Sequence, residues 1–259
     1  MRALILSDIH ANLEALEAVL EAAAHDPAGP WDVLWNLGDV VGYGASPNQV
    51  LARLRPLAAL NVRGNHDRVS CGLTSPNGFN PVARAAVLWT RNELTAENTT
   101  WLREVPQGPL HPPEPEAAAQ VTCAHGSPLH EDHYILNMRD AWAPLQQMTT
   151  PLTFFGHTHV QGGFAQKDHD WHELRPRFNT ANEAESWTLT IPEGTRHLVN
   201  PGSVGQPRDN DWRAAYALFD TARAEIVFHR IPYDVVASQG RILMAGLPER
   251  LAVRLREGR

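Results

Sequence analysis

Short apolar runs alternate with amphipathic segments over the first 67 residues, and this alternation constrains the fold more than any other feature of the sequence. Three apolar runs are typical of buried strands, and they cover residues 2–6, 33–37 and 57–62. Asn12 can cap a helix whose leucines share one face over 13–23, and Ser46 begins a capping box before a helix over 49–55. Strands that alternate with helices predict an α/β fold with right-handed crossovers and a largely parallel sheet.

A helical insertion is expected where this alternation stops, at about residues 70–119. Helices are predicted over 81–94 and 96–104, and Thr95 can serve as the N-cap of the second helix. We expect the insertion to lean over the sheet rather than to form an independent unit.

The strands return beyond the insertion. Five further short strands are predicted, over residues 121–124, 152–155, 197–199, 215–219 and 225–230. Segments 162–165 and 187–191 are expected to pair in antiparallel fashion across a polar loop over 166–184. A helical tail is expected at about 234–256, and the whole chain, residues 1–259, is predicted to form one domain.

The composition excludes several classes of protein. Hydrophobic residues make up 43% of the chain and charged residues 20%, which is ordinary for a globular protein. The formal net charge of −7 argues against a broad basic surface, so no stable complex with nucleic acid is expected. The chain has only 2 cysteines and no apolar run that approaches a membrane span, so we expect a cytoplasmic protein without a membrane partner.

Polar residues follow directly on five of the predicted strands. The clusters are Asp8-Ile9-His10, Gly38-Asp39, Gly64-Asn65-His66-Asp67, His125-Gly126 and Gly156-His157-Thr158-His159. Ligands bind at the carboxyl ends of the strands in open α/β sheets, so five clusters at five strand ends can converge on one point. The i, i+2 spacing within the first and the last cluster directs two side chains the same way in extended chain.

The side chains of these clusters are typical of a metal site. They offer nitrogen and oxygen donors and no thiolate, which favours manganese, iron, zinc, nickel or cobalt over a structural cysteine–zinc site. Two ions about 3.5–4 Å apart are a recurring arrangement for the cleavage of phosphate esters. We therefore expect two divalent metal ions as cofactors, with manganese as the first choice.

The five clusters, in this order, resemble the motifs of the calcineurin-like metallophosphoesterase superfamily, and the sequence is most similar to its small prokaryotic phosphodiesterase branch. Two further stretches support that branch: Gly-Asp-Val-Val-Gly-Tyr-Gly over 38–44 and Asn-Pro-Gly-Ser-Val-Gly-Gln-Pro over 200–207. The fold that the resemblance implies is an α/β, four-layer α-β-β-α sandwich, in which helices cover two mixed sheets on both outer faces.

The resemblance also implies a role for each polar residue. The first metal ion would be held by Asp8, His10 and His159, the second by Asn65, His125 and His157, and Asp39 would bridge the two. His66 would not bind metal but would face the substrate, stabilise the transition state and protonate the leaving oxygen. Asp67 would orient His66, as a carboxylate does for an imidazole.

The function that the resemblance implies is hydrolysis of small phosphodiesters or nucleotides by direct attack of a metal-bridging hydroxide. The partner is then a small phosphoester or nucleotide, and the oligomeric state is left open. A nuclease or a phosphomonoesterase acting at the same site is an alternative. An alternative of another class is a metal-stabilised regulatory or binding protein without catalysis.

The sequence departs from some branches of the superfamily. Protein Ser/Thr phosphatases and dinucleoside tetraphosphatases carry Asp-Arg-Gly after the Gly-Asp motif, where this chain has Val-Gly-Tyr-Gly over 41–44, so those activities are disfavoured. Purple acid phosphatases place a metal-binding tyrosine at the position of Gly42, so Tyr43 is not expected to be a ligand. Three arginines are left open between a contact with a substrate phosphate and a solvated position: Arg63, Arg68 and Arg208.

Overall fold

Two β-sheets pack face to face and carry helices on both outer faces. The structure is a computed structural model and describes residues 1–259. The first sheet has six strands, in the spatial order β3 (Ala58–Asn61), β2 (Val33–Asn36), β1 (Arg2–Leu6), β10 (Ala214–Asp220), β11 (Glu225–Ile231) and β8 (Glu185–Thr190). The second has five, in the order β4 (Val121–Cys123), β5 (Leu152–Phe154), β9 (Arg196–Asn200), β6 (Gly162–Lys167) and β7 (Asp170–Leu174).

Both sheets are mixed. In the first sheet β1, β2 and β3 run parallel, whereas β10, β11 and β8 are each antiparallel to their neighbours. In the second sheet β4, β5 and β9 run parallel, and β6 and β7 are added in antiparallel fashion. The predicted arrangement of two mixed sheets between helices is therefore confirmed. The five strands that precede the polar clusters all lie in the parallel parts of the two sheets.

The alternation of side chains along the strands determines where the core lies. On β1, Ala3 and Ile5 belong to the apolar cluster between the two sheets, together with Phe154 of the second sheet. Leu4 and Leu6 point the other way, into the apolar cluster beneath the helices. This period of two buries both faces of β1, which explains why its sequence is a continuous apolar run rather than an alternating one.

Nine α-helices surround the sheets. They are α1 (Leu13–Ala24), α2 (Pro47–Leu54), α3 (Asn65–Ser70), α4 (Pro81–Glu93), α5 (Ala96–Glu104), α6 (Pro115–Ala118), α7 (Met138–Gln147), α8 (Val235–Met244) and α9 (Glu249–Glu257). Apolar side chains of α1, α8 and α9 pack on the outer face of the first sheet, and those of α7 pack on the second. None of these helices combines the length and the apolar character that a membrane crossing requires.

The helix starts agree with the sequence at two positions and differ at a third. The side chains of Asn12 and Thr95 accept hydrogen bonds from the backbone N–H of Ala15 and Asn98, as predicted for N-caps. The expected capping box at Ser46 is wrong, because the Ser46 side chain makes no cap hydrogen bond. The proline of this segment does take the first helical position, as its sequence predicts, since Pro47 begins α2 and needs no N–H partner there.

The expected pairing of segments 162–165 and 187–191 is also wrong. Strand β6 pairs with β7 and β9, whereas β8 lies at the edge of the other sheet beside β11. The segment read as a polar loop contains β7, which forms a tight hairpin with β6 in which Lys167 pairs with Asp170. Asp168 takes the left-handed backbone that such a turn requires, with φ of 52°.

Candidate metal centre

The loops that follow β1 to β5 bring the predicted ligands together. Atoms of Asp8, His10, Asp39 and His159 lie within 4.8 Å of one another, and atoms of Asp39, His125 and His157 form a second group of the same tightness. Asp39 belongs to both groups. All six side chains are buried, with exposed fractions of 5% or less. Two adjacent donor groups that share one carboxylate are the arrangement that a pair of metal ions requires.

Each carboxylate uses one oxygen to hold a loop and turns the other toward the centre. Asp8 Oδ2 accepts hydrogen bonds from Ser7 Oγ at 2.7 Å and from the backbone N–H of His157 at 3.0 Å, while its buried Oδ1 has no hydrogen-bond partner. Asp39 Oδ1 accepts from the backbone N–H of His66 at 2.7 Å. Its Oδ2 lies 3.4 Å from His125 Nε2 and 3.7 Å from His10 Nε2, between the two donor groups.

Backbone carbonyls determine which imidazole nitrogens face the centre. The Nδ1 atoms of His10 and His159 lie 3.2 Å from the carbonyl oxygen of Val41 and 2.6 Å from that of Gln206. Because a carbonyl can only accept, each Nδ1 carries the proton and each Nε2 carries a lone pair. The two Nε2 atoms are 3.1 Å apart, a contact that two lone pairs do not stabilise. A cation between them would resolve the conflict.

Burial keeps three of the histidines in the neutral form that binds metal. It lowers the pKa of His10 and His159 well below the ordinary value and that of His157 to about 3, so the three imidazoles are neutral at pH 7. The buried Nε2 of His157 has no hydrogen-bond partner. Burial, reinforced by the charge of Asp39, raises the pKa of Asp8 to about 7. The buried carboxylate and imidazole donors therefore lack a compensating positive charge. Divalent metal ions fit this set of nitrogen and oxygen donors.

His125 is the exception among the histidines. Burial disfavours its charged form, but the neighbouring charge of Asp39 and the hydrogen bond between the two side chains raise its pKa to about 10. A proton shared by His125 and Asp39 thus partly neutralises the carboxylate. Metal binding displaces such protons, so loading of this group is expected to release one.

The backbone at the centre is left-handed at five of the predicted ligands. Positive φ angles occur at Asp8 (53°), His10 (49°), Asp39 (52°), His157 (65°) and His159 (60°). Few residues other than glycine adopt this region, although aspartate, asparagine and histidine do so more often than most. The close packing of the loops also requires glycine at position 64, because a Cβ atom there would lie 2.1 Å from Asp39 Oδ1.

Asn65, His66 and Asp67, from the cluster after β3, differ in how they relate to the centre. Asn65 Oδ1 lies 3.1 Å from His125 Nε2, so its amide joins the second donor group. His66 stands beside the donors rather than among them, with its ring centroid 4.8 Å from that of His10. It is 3% exposed, its Nδ1 has no hydrogen-bond partner, and burial lowers its pKa to about 4.

No hydrogen bond joins Asp67 to the His66 ring, so the role expected for Asp67 in orienting His66 has no support from a direct contact. Asp67 Oδ1 accepts a hydrogen bond from the backbone N–H of Val41 at 3.1 Å, and its Oδ2 accepts one from that of Gly64 at 3.0 Å. Each carboxylate oxygen of Asp67 thus accepts from a backbone group, one in the loop after β2 and one at the start of α3. Asp67 joins the loop after β2 to the loop after β3, while Gly42, Tyr43 and Phe79 surround the His66 ring.

An open cavity of about 360 Å³ adjoins the centre. Its lining includes the side chains of His66 and His157 and three aromatic rings, those of Tyr43, Phe79 and Tyr134. The Tyr134 ring stacks on His157 with a centroid separation of 4.0 Å and an interplanar angle of 23°. Nothing in the sequence pattern identified Phe79 or Tyr134, because both come from segments without a recognisable motif.

Two of the arginines left open by the sequence differ in their surroundings. Arg68 pairs with Glu131 and Asp132, so its charge is neutralised within the protein. Arg208 lies at the centre, where its Nη2 donates to Tyr43 Oη at 3.3 Å. Arg254 of α9 also reaches the Tyr43 ring. It is one of 3 arginines on that helix, and no local signal distinguishes it from the other two.

Comparison with known proteins agrees with this geometry. A family model described as the calcineurin-like phosphoesterase superfamily domain matches residues 1–224. An uncharacterized protein of Methanocaldococcus jannaschii is 34% identical over 262 residues, which cover 98% of this chain and 97% of the relative.

Two solved structures are similar over the whole chain. A metallophosphoesterase from Sphaerobacter thermophilus has 39% sequence identity and a TM-score of 0.81, with 100% of both chains covered. A hypothetical protein from Pyrococcus horikoshii OT3 has a TM-score of 0.77 at 19% identity, with 100% of this chain and 98% of the other covered, and that likeness concerns the fold alone. The match of the family model over most of the sequence, and a relative of this identity along nearly its full length, establish that the chain belongs to the calcineurin-like phosphoesterase superfamily.

Proposed function

We propose that this protein is a dinuclear metal-dependent phosphodiesterase that hydrolyses small phosphodiesters or nucleotides. The observation that carries the proposal is the pair of buried donor groups that share Asp39. Such a pair positions two cations side by side, and a single structural ion would need only one group.

The proposed ligands are those that the loops bring together. One ion would be held by Asp8, His10 and His159, the other by Asn65, His125 and His157, with Asp39 between them. When bound, two such ions lower the pKa of a water molecule and neutralise the charge that develops on the phosphoryl oxygens. Manganese is our first choice, with iron, zinc, nickel and cobalt as alternatives, because the donors are nitrogen and oxygen without sulfur.

His66 is proposed to act on the leaving group. Its ring lies between the donor groups and the open cavity, where the ester oxygen of a bound substrate would leave. The neutral imidazole can donate a hydrogen bond to that oxygen, and the negative charge of a bound phosphate favours the protonated ring that passes a proton on. The packing of Tyr43 and Phe79 against the ring, at centroid separations of 4.3 and 4.8 Å, restricts its orientation.

The cavity beside the centre supports a small substrate. Its volume of about 360 Å³ lies in the lower part of the range typical of small-molecule sites. Three aromatic rings in the lining can pack against a planar group such as a nucleobase or an aryl ester. Arg68, the one arginine of the lining, is paired with two carboxylates, so it offers no free positive charge to an extended nucleic-acid backbone.

A substrate panel tests the proposal. Protein loaded with Mn²⁺ would be assayed on a bis-aryl phosphate, an aryl monophosphate, 2′,3′- and 3′,5′-cyclic nucleotides and DNA, and its metal content measured by elemental analysis. We expect two ions per chain and faster hydrolysis of the diesters than of the monoester or DNA. Two bound ions without turnover of any substrate would instead favour a binding or regulatory protein stabilised by metal.

A further inference from the structure

Two arginines converge on Tyr43 at the side of the metal centre. The Cζ atoms of Arg208 and Arg254 lie 5.7 and 5.8 Å from the centroid of the Tyr43 ring. That ring in turn lies 4.6 Å from the ring of His10 and 4.3 Å from that of His66. Both guanidinium groups are therefore close to the proposed reacting centre, although they belong to distant parts of the chain.

Neither guanidinium group forms an ion pair with an aspartate or glutamate side chain. Arg208 Nη2 donates to Tyr43 Oη at 3.3 Å and to Gln206 Oε1 at 3.2 Å, both of which are neutral groups, and its buried Nε has no hydrogen-bond partner. Arg254 donates from Nε to the backbone carbonyl of Arg259, and its two Nη groups make no hydrogen bond. Burial, reinforced by the nearby charge of Arg208, lowers the pKa of Arg254 to about 10.

Several other partly or fully buried arginines of the chain are paired with carboxylates, whereas Arg63 and Arg91 donate only to backbone carbonyls. Each of the following reaches at least one carboxylate: Arg2, Arg68, Arg213 and Arg230. Withdrawing a cation from water is costly unless an anion compensates it, so two adjacent cations without one are an unfavourable arrangement. A ligand that carries negative charge would compensate both.

We propose that Arg208 and Arg254 form an anion subsite beside the metal centre, which binds a second phosphoryl group of the substrate. The inference rests on the proposed function, in which the metal centre binds the phosphoryl group that is hydrolysed. The substrate class is then a phosphoester with two phosphoryl groups, one at the metal ions and one between the arginines. Guanidinium groups suit this task, because their fork of N–H donors matches the oxygens of a phosphate.

Both arginines are held in place by the fold. The backbone N–H of Arg208 donates to the carbonyl of His159 at 3.1 Å, and the next residue, Asp209, pairs with Arg230. Arg254 is positioned by α9, which buries Leu251 and Leu255 against the first sheet and its helices. Arg254 lies beyond residues 1–224, which the family model matches, so the second half of the subsite comes from the helical tail.

Two unhydrolysable probes test the subsite by calorimetric titration of the Mn²⁺-loaded protein. Methylphosphonate carries one phosphoryl group and methylenediphosphonate carries two. In Arg254→Gln we expect the Kd of the diphosphonate to rise about ten-fold, the usual effect of losing one charged hydrogen bond, while that of the monophosphonate changes by less than about two-fold. Arg254→Lys should retain part of the preference, and Arg256→Gln, at an exposed position of the same helix, should match the wild type.

The outcomes separate the subsite from the proposed function. The subsite would be overturned if Arg254→Gln weakened the binding of both probes equally, or if it weakened the binding of neither probe. Absence of turnover on the substrate panel, with the diphosphonate preference of the wild type retained and lost in Arg254→Gln, would reject the proposed hydrolysis and support the subsite. Metal content measured after each titration excludes removal of the ions by the probe.

Discussion

Two buried polar clusters in this chain differ in how their charges are satisfied. At the metal centre, Asp8 Oδ1 and His157 Nε2 have no hydrogen-bond partner, and two imidazole lone pairs face each other. Beside β10 and β11 of the first sheet, the guanidinium groups of Arg213 and Arg230 are 1% and 2% exposed, and both are paired with carboxylates. We refer to these regions as the metal centre and the arginine cluster.

The guanidinium groups of the arginine cluster are compensated by carboxylates of the protein itself. Arg213 donates to Asp211 Oδ1 at 3.0 Å and to Glu185 Oε2 at 3.1 Å, and Arg230 donates to Gln161 Oε1 at 3.0 Å. The amide of Gln161 donates in turn to three backbone carbonyls. The comparison teaches that burial of polar groups alone does not identify a functional site. The distinguishing feature is a set of donor atoms that the protein leaves without a partner.

The largest effect is expected from the one carboxylate that both donor groups share. Asp39→Asn should abolish binding of at least one ion and lower turnover by about 10⁴-fold, because the ions together contribute several kcal/mol of transition-state stabilisation. Elemental analysis and steady-state kinetics measure the two effects. Asp170→Asn, at an exposed carboxylate, is the matched control. Normal metal content in Asp39→Asn would show that the shared carboxylate is not needed to hold the ions, and the contrast between the two clusters would then fail.

A smaller loss of turnover is expected at His66, which lies beside the donor atoms. His66→Ala should lower kcat by about 10³-fold, within the usual range for a positioned acid or base, and leave the metal content unchanged. The exposed His169 offers a control, since His169→Ala should retain the wild-type rate. Unchanged turnover in His66→Ala would show that the residue has no part in the reaction.

Substitutions in the arginine cluster should lower the stability of the protein and leave its metal content unchanged. Arg213→Met removes one partner of a buried pair, so the free energy of unfolding should fall by about 3 kcal/mol, near the lower end of the range for such pairs because Asp211 and Glu185 keep some exposure. Urea denaturation measures the change, and Arg223→Met, at an exposed ion pair, serves as the control. Metal content like that of the wild type is expected. A loss of bound metal would mean that the two clusters are coupled.

Metal ions bound at the metal centre should stabilise the folded protein. The arginine cluster needs no added ion, so it should contribute the same stability with and without metal. At an ion concentration about 100 times the Kd, the free energy of unfolding should rise by about 2.7 kcal/mol, which raises the Tm by roughly 5–10 °C for a chain of this size. Thermal unfolding with and without a chelator measures the shift. Arg213→Met should show the same increase from a lower baseline, and Asp39→Asn should show little of it. An equal Tm with and without ions would argue that the donors do not bind metal.

Local sequence features predicted the position of the centre because each ligand cluster follows its strand directly. Asp8 after β1 and Asp39 after β2 needed only the apolar run and the polar residues that end it. The parallel course of neighbouring strands then places both at the same edge of the sheet. Most element bounds followed from the same local patterns, including α1 and α5 with their caps.

Features that depend on tertiary contacts could not be predicted in this way. The pairing of β8 with β11 rather than β6 depends on which sheet offers a free edge, and no local pattern specifies that choice. The hydrogen bond that Asp67 accepts from Val41 and the approach of Arg254 to Tyr43 are likewise contacts between separate segments. Residue types at the site were therefore predictable, whereas their partners were not.

The left-handed backbone at five of the proposed ligands narrows the substitutions that protein engineering could introduce there. Glutamate and cysteine bind metal well, but they lack the tolerance for this conformation that aspartate, asparagine and histidine have. An exchange such as His159→Cys would therefore alter the loop geometry as well as the donor atom. Redesign of metal selectivity at this centre would be easier at Asn65, which lies in the first turn of α3 with a helical backbone.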